Sequence, residues 1–377
     1  MKICFISGCL ARSGGTERVG SIIANGLVGR GYDVYILSMW DRGAPHFHLE
    51  KKIKVYNLLS PRKEGKLYRT YIYPIIKLHS FLKKNKIDIV IDIDTELSVY
   101  TYFAIIGTEC KWISWEHFNY WAMIERREKK RFIAKKLIKK KANHLIVLTD
   151  EDKKKHMEKY GMDDNFIISI HNPSPEIKEI KYNFDLHSFI SVGRLSYEKG
   201  YDLLIEAWKI FEKENKEWKL MIIGDGEEKE NLIRKIKEYN LNNLKLLGFK
   251  DNVEDFYRKS SCYVLSSRYE GFPMVILEAE SNGLPIIAFD CKTGPKDLVD
   301  LNNGFLLECL DPNLLAEAML EFTKSEKNAE IKSQNSILKA KENNLNEILN
   351  KWELLFDNMM ITQGESNEDR TYTKCKA

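Results

Sequence analysis

The sequence predicts an α/β protein built from two doubly wound domains that face a central cleft, and three observations carry that expectation. Its 377 residues suffice for two cores of similar size, at roughly 100 to 200 residues per domain. Short β-rich runs alternate with stretches of helical periodicity in both halves, the pattern of parallel sheets covered by helices. Between Ile168 and Asp185 the alternation lapses into HNPSPEIKEIKYNFD, whose prolines mark a linker.

Taken in order, Lys2 to Ser7 reads as the first strand, and Gly14-Gly15 breaks the chain before an amphipathic helix from Thr16 to Arg30. In that helix Val19, Ile22, Ile23, Gly26 and Leu27 recur at helical spacing. Tyr32 to Met39, Ile87 to Ile93, Lys111 to Trp115 and His144 to Leu148 are the further strands expected of this half, the last closing it. The second half restarts with strands at Phe189 to Val192, Lys219 to Ile223, Lys245 to Leu247, Cys262 to Leu265 and Pro285 to Phe289. Helices are expected near Tyr201 to Phe211, from Glu227, near Val253 and through Glu278, with closing helices at Asp311 to Phe322 and Ile331 to Phe356. In open sheets of this kind ligands bind at the carboxyl ends of the strands, so the cleft between the sheets is the expected site.

Composition narrows the class. No apolar run approaches the roughly 20 residues of a spanning helix, and MKICFISGCL is too short and too soon followed by Arg12 for a signal peptide. A cytoplasmic protein is expected, soluble or lying against the membrane. Seven cysteines with no CxxC pair argue for reduced thiols rather than disulfides or zinc. Residues 1 to 172 carry 31 Lys and Arg against 19 Asp and Glu, whereas residues 173 to 377 carry 28 against 36. One half therefore presents itself to an anionic partner and the other does not.

Three motifs carry chemistry. Ser13-Gly14-Gly15-Thr16 follows a strand and opens a helix, where backbone N–H groups and the helix dipole favour a phosphate. It is not GxGxxG, and no acidic residue ends the second strand, which argues against a dinucleotide. Arg194 and Lys199, in GRLSYEKG after the first strand of the second half, are placed to converge on one anion, a fork and a point charge suited to a diphosphate. Glu270 and Glu278, in EGFPMVILEA, bracket a helix start. Eight helical residues turn through about 800°, so both carboxylates are expected to face the cleft and to accept hydrogen bonds from two vicinal diols. The N–H groups of Phe272, Met274 and Val275 are expected to point at a phosphate between them. Taken singly, each motif reads more readily as a turn, a solvated cation or a helix cap.

Together the ordered set GGTERV, EH, GRLSYEKG, GDGEEKENL, LGFKDNVEDFY and EGFPMVILEAESNGLP resembles the retaining GT-B glycosyltransferases of family 4, especially bacterial enzymes of capsular, lipopolysaccharide and lipid-linked oligosaccharide synthesis. The likeness covers about residues 1 to 325. It implies two Rossmann-like domains: an acceptor-binding domain at 1–170 and a nucleotide-sugar-binding domain at 171–330. A closing helix at 331–357 is expected to pack back toward the first domain, ahead of a disordered tail at 358–377.

Carried over by position, Glu270 matches the carboxylate that contacts the donor sugar and Glu278 the one that holds the ribose. Arg194 and Lys199 match the diphosphate-binding pair, and Gly15 matches the glycine that approaches the phosphates. His117 matches the family histidine near the reacting face of the sugar, while Phe249 and Lys250 lie where members touch the base. No cofactor is implied beyond the nucleotide-diphosphate sugar substrate, expected to be a UDP-sugar, and no metal or nucleic acid. Asp92-Ile93-Asp94 imitates the metal-binding DxD of a different glycosyltransferase fold, in an architecture that is wrong for it.

The acceptor half also carries two basic runs that suit an anionic inner-membrane surface. Glu125 to Lys141 holds ten Lys and Arg in seventeen residues, around an apolar stripe of Phe132, Ile133, Leu137 and Ile138. Arg62 to Lys86 interleaves its cations with Tyr68, Tyr71, Tyr73 and Phe81. Aromatics between Tyr100 and Trp121, among them Tyr102, Phe103, Trp112, Trp115, Phe118 and Tyr120, offer either core or stacking faces for acceptor sugars. The expected activity is transfer of a hexose or N-acetylhexosamine to a lipid-linked or polysaccharide acceptor. The rival readings are a GT-B nucleotide-sugar epimerase or synthase, and a non-catalytic adaptor that binds membrane or RNA.

Overall fold

The computed structural model describes residues 1–40, 42–59, 72–121, 129–178 and 181–361. In the first lobe, buried β-branched runs form β1 (Lys2–Ser7), β2 (Asp33–Trp40), β3 (Lys54–Leu59), β4 (Ile89–Asp92), β5 (Lys111–Trp115), β6 (His144–Val147) and β7 (Ile167–Ser169). Between them lie α1 (Gly15–Gly29), α2 (Tyr73–Asn85), α3 (Ser98–Ala104), α4 (Lys129–Lys141) and α5 (Asp150–Tyr160). The second lobe repeats the scheme with β8 (Ser188–Val192), β9 (Lys219–Ile223), β10 (Leu244–Leu246), β11 (Cys262–Leu265), β12 (Ile286–Phe289) and β13 (Gly304–Leu307). Its helices are α6 (Tyr201–Glu214), α7 (Lys229–Glu238), α8 (Glu254–Tyr257), α9 (Met274–Ser281), α10 (Pro295–Leu298) and α11 (Pro312–Thr323), followed by α12 (Glu326–Glu342) and α13 (Leu345–Ile361).

All strand pairs are parallel, in the orders β3-β2-β1-β4-β5-β6-β7 and β10-β9-β8-β11-β12-β13. In each sheet the chain reverses its direction of winding beside the first strand, between β1 and β4 and between β8 and β11. The loops leaving those strands open a crevice there. Those loops carry Gly14-Gly15, Arg194 and Glu270.

Three strands go beyond the sequence-based expectation. β3 is an edge strand whose first four residues are exposed, so its alternation is erased. β7 and β13 are short edge strands in which only the first residue is buried, so neither shows a continuous buried apolar run. His144 to Leu148 therefore does not close the first sheet; β7 does. The long closing helix expected at Ile331 to Phe356 is two helices broken at Asn343-Asn344, and the second runs on through 358–361, where a tail was expected. Residues 362–377 lie outside the described residues.

The last helix lies against the first lobe. Leu349 fills the space that a Cβ at Gly26 would need, and Arg30 pairs with Glu353. Trp352, fully buried, meets Trp115 edge-on with ring centroids 4.9 Å apart.

The basic run on α4 is not a uniformly solvated face. Arg131 and Lys135 are buried, and Lys135 Nζ lies 2.6 Å from the buried Glu116 carboxylate. Ile133, expected in an apolar stripe, is exposed, while Ala134 and Ile138 pack inward. The start of this run at 125–128, and residues 62–71 of the other, lie outside the described residues. Of the aromatics between Tyr100 and Trp121, Trp112, Trp115 and Tyr120 are core, Phe103 is exposed and Phe118 half-buried.

Candidate functional site

β11 ends at Leu265, and the chain then runs through Ser266 to Pro273 before α9 begins at Met274. Glu270 therefore stands on a loop and Glu278 about one helical turn into α9. The two-turn geometry expected from their spacing does not apply, because the first half of the interval is not helix. Pro273, in extended conformation, makes no side-chain cap, so the first N–H groups of α9, those of Met274 and Val275 among them, have no capping side chain. The Phe272 side chain is buried and stacks on His171, with ring centroids 4.7 Å apart.

Each carboxylate is already gripped. Glu270 Oε1 accepts from Lys199 Nζ and from Ser267 Oγ, both at 2.6 Å. Glu278 Oε1 accepts from Arg18 of α1 in the opposite lobe, and its Oε2 accepts from Tyr257 OH at 2.9 Å. Neither Arg18 nor Tyr257 was expected at the site. Arg18 belongs to the GGTERV segment and Tyr257 ends the LGFKDNVEDFY segment, so both lay within motifs already singled out, whereas nothing in the local pattern marks Ser267.

Lys199 ends a one-turn helix at Tyr197–Lys199, and the next residue, Gly200, turns the chain with φ of +60°. A Cβ there would fall 2.1 Å from the Ser266 carbonyl oxygen, so the turn and the close packing both require glycine. Arg194 does not converge with Lys199 on a shared partner. It is largely exposed and pairs with Glu227 at 3.1 Å. Both cations nevertheless line one cavity of about 240 Å³, together with His117, Asn119, Glu270 and Gly271.

On the facing lobe, Gly14 is the N-cap of α1 without a side-chain cap, and Gly15 has open space where a Cβ would stand. Glu17 lies above Gly14, and burial raises its carboxyl above the usual range. His117 follows β5, its ring against Trp115 at 4.4 Å. Its Nε2 is buried and has no hydrogen-bond partner among the described residues. Burial, aided by the Arg131 guanidinium and opposed by Glu116, lowers the imidazole to about 4, so it is neutral at neutral pH.

Glu116, next to it, is fully buried. Burial alone would raise its carboxyl, but Lys135 and Arg131 hold it well below the usual range. Removing either cation would leave a buried charge uncompensated, so this group works as a unit.

Phe249 and Lys250 do not line that cavity. Phe249 is exposed by 69% on the loop after β10, and Lys250 is exposed beside it. Asp92 is buried, its carboxylate accepting from Ser98 and Trp112 at 2.8 Å and from Thr101. Burial raises it to about 7 against those hydrogen bonds. Asp94 pairs with Arg131 and accepts the Glu96 N–H. The DxD look-alike is thus bound into the first lobe by its own neighbours.

Two doubly wound lobes with cations, carboxylates and uncapped helix starts facing one cleft define the GT-B architecture. Residues 13–174 match the family described as Glycosyltransferase Family 4, and residues 175–339 match Glycosyl transferases group 1. An uncharacterized glycosyltransferase of Haemophilus influenzae is 33% identical over 310 residues, 81% of this chain and 86% of its own length. The amylovoran biosynthesis glycosyltransferase AmsD of Erwinia amylovora is 29% identical over 336 residues, 86% of this chain and 91% of its own. Anabaena HepE, solved in complex with UDP and glucose, superposes with a TM-score of 0.79 over 96% of this chain and 99% of its own, at 19% identity. This chain belongs to the GT-B glycosyltransferases of the family 4 type.

Proposed function

We propose that this glycosyltransferase moves a hexose or N-acetylhexosamine from a nucleotide-diphosphate sugar, with UDP the favoured nucleotide, to a lipid-linked or polysaccharide acceptor of a bacterial surface glycan. The transfer retains anomeric configuration and needs no metal. The observation that carries the reading is the pair Glu270 and Glu278 on either side of an uncapped helix start, with Lys199 on the first and Arg18 on the second. That arrangement suits a sugar, a diphosphate and a ribose in line. HepE binding UDP and glucose, and the assignment of AmsD to amylovoran biosynthesis, point the same way.

Breaking the bond between the anomeric carbon and the phosphate oxygen builds negative charge on the diphosphate. Lys199, Arg194 and the starts of α1 and α9 are the groups assigned to it, and preorganised charge of this kind is the expected source of rate. Positive charge builds on the sugar, beside which a neutral His117 adds no repulsion. The acceptor proton passes to the departing phosphate oxygen on the same face, so no protein base is assigned. Glu270 is assigned to the donor hydroxyls, Glu278 to the ribose diol and the Phe249-Lys250 backbone to the base.

A panel of UDP-, GDP- and ADP-sugars, assayed in EDTA and followed by the NMR coupling of the new anomeric proton, tests the reading. Turnover with one of these donors and a retained anomer is expected. An inverted anomer, or a strict need for a divalent cation, overturns it.

The first lobe is assigned to the cytoplasmic face of an anionic membrane. Among the described residues no helix is long and apolar enough to cross one. α2, α3 and α4 lie side by side and, with Ile106 just past α3, expose Ile76, Phe103 and Ile133 among exposed lysines such as Lys77, Lys84 and Lys136. Apolar side chains within a cationic field suit a headgroup interface. Vesicles with about 30% anionic lipid are expected to sediment the protein in low salt and release it in high salt, because screening shortens the attraction. Failure to sediment at low salt removes the assignment.

A further inference from the structure

His117 and Glu270 come from different lobes, and their roles in one reaction require a fixed separation. Each is followed by a segment that meets the other lobe. The carbonyl oxygen of His117 lies where a Cβ at Gly271 would stand, at 2.6 Å, so any larger residue at 271 would force this seam apart. Asn119, 3% exposed, then crosses it. Its amide nitrogen donates to the Glu270 carbonyl and, at 3.2 Å, to the Lys292 carbonyl. Both partners are acceptors only, so the chemistry places the amide nitrogen, and not the oxygen, toward them. Thr293 Oγ1 donates to the same Glu270 carbonyl at 2.6 Å.

The segment bearing Asn119 is held on its own side with equal care. The Phe118 N–H donates to Glu116 at 3.0 Å, and the Tyr120 N–H donates to Asp152 at 2.7 Å. Both carboxylates are buried, Glu116 being neutralised by Lys135 and Arg131 of α4. The residues on either side of Asn119 are thus clamped to the first lobe while its side chain ends on the backbone of Glu270. Further along the seam Lys296 pairs with Glu151 at 2.5 Å, and Lys292 Nζ stands over the Trp121 ring at 4.8 Å.

We infer that Asn119 is a positioning residue for glycosyl transfer: its amide ties the backbone of Glu270 to the His117 loop and so sets the two faces of the donor sugar against each other. The inference rests on the assignment of His117 and Glu270 to that sugar. Although Asn119 lines the cavity, its amide nitrogen is taken up by the two carbonyls, and it is assigned no contact with the substrate. Its loss leaves the Lys199 and Glu270 side chains in the second lobe, so the donor still binds. What is lost is the registry in which binding becomes reaction, and a displacement of about 1 Å costs on the order of 10²-fold.

The test uses the full chain, the donor turned over fastest in the nucleotide-sugar panel, and the variants Asn119→Ala, Asn119→Ser and Asn119→Asp. The aspartate sets carboxylate oxygens against two carbonyl oxygens. For every variant that folds by circular dichroism, kcat for transfer is expected to fall about 10- to 100-fold. The donor KM is expected to stay within about threefold, and the share of donor lost to water to rise, as the seam loosens. Unchanged kcat, or a fall in kcat matched by the same rise in KM with no gain in hydrolysis, overturns the inference. His117→Ala and Glu270→Gln are run beside them. If those two retain normal turnover, the assignment of the site falls; if they lose it and the Asn119 variants do not, only the role of Asn119 falls.

Discussion

Glu270→Gln is expected to lower transfer by about 10³-fold, some 4 kcal/mol of transition-state stabilisation, while the far-ultraviolet circular dichroism is unchanged. The change keeps the shape of a side chain that accepts from Lys199 and Ser267, and removes its charge. Two losses then combine. An amide holds the hydroxyls of the reacting sugar less strongly than a carboxylate does, because hydrogen bonds to an ionised acceptor are roughly twice as strong. The Lys199 ammonium is also left without its counter-charge in a half-buried position. Initial rates at saturating donor measure the effect, and turnover within about threefold of the parent enzyme removes Glu270 from the reaction.

Lys199→Met is expected to cost about 10²- to 10³-fold in kcat and to raise the donor KM as well. Methionine conserves most of the apolar stem and deletes the point charge assigned to the leaving diphosphate. That charge rests on Glu270 at 2.6 Å, so a diphosphate must compete with the carboxylate for it. Lys199→Arg is expected to recover part of the loss, since charge is kept while the compact geometry is not. A methionine variant with kcat and KM both unchanged refutes the assignment, and one with kcat unchanged but KM raised restricts Lys199 to binding.

Much of the scaffold was legible in the chain. Buried parallel strands are near-continuous apolar runs, so β1, β5, β9 and β11 fall within their expected bounds. The glycine pair before α1 and the carboxylate before α9 were legible because a turn and a helix start leave local chemical marks. Strands β3, β7 and β13 were not: each lies at a sheet edge with most of its residues exposed or half-buried. The break at Asn343-Asn344 separates two stretches that each continue a helical pattern, and periodicity by itself carries no stop signal there.

The site was read less completely, for a related reason. Arg131 and Lys135 sit in a run of lysines that resembles a solvated face, and only the buried Glu116 beneath them explains why they turn inward. Asn119 and Thr293 carry no pattern at all; their roles come from backbone carbonyls more than a hundred residues away in the first case and twenty-three in the second. Arg194 was expected to share an anion with Lys199, but it pairs with Glu227.

The chain by itself determined what depends on neighbours within a few positions: strand and helix periods, turn chemistry, and the residue types on the loops that leave β1, β8 and β11. Only the tertiary structure decided which lobe answers which. Arg18 on Glu278 and Asn119 on Glu270 are contacts between segments 260 and 151 residues apart. Such pairings arise from the packing of two sheets and the helices between them, and side-chain pairing at that range leaves no periodic trace in the order of residues.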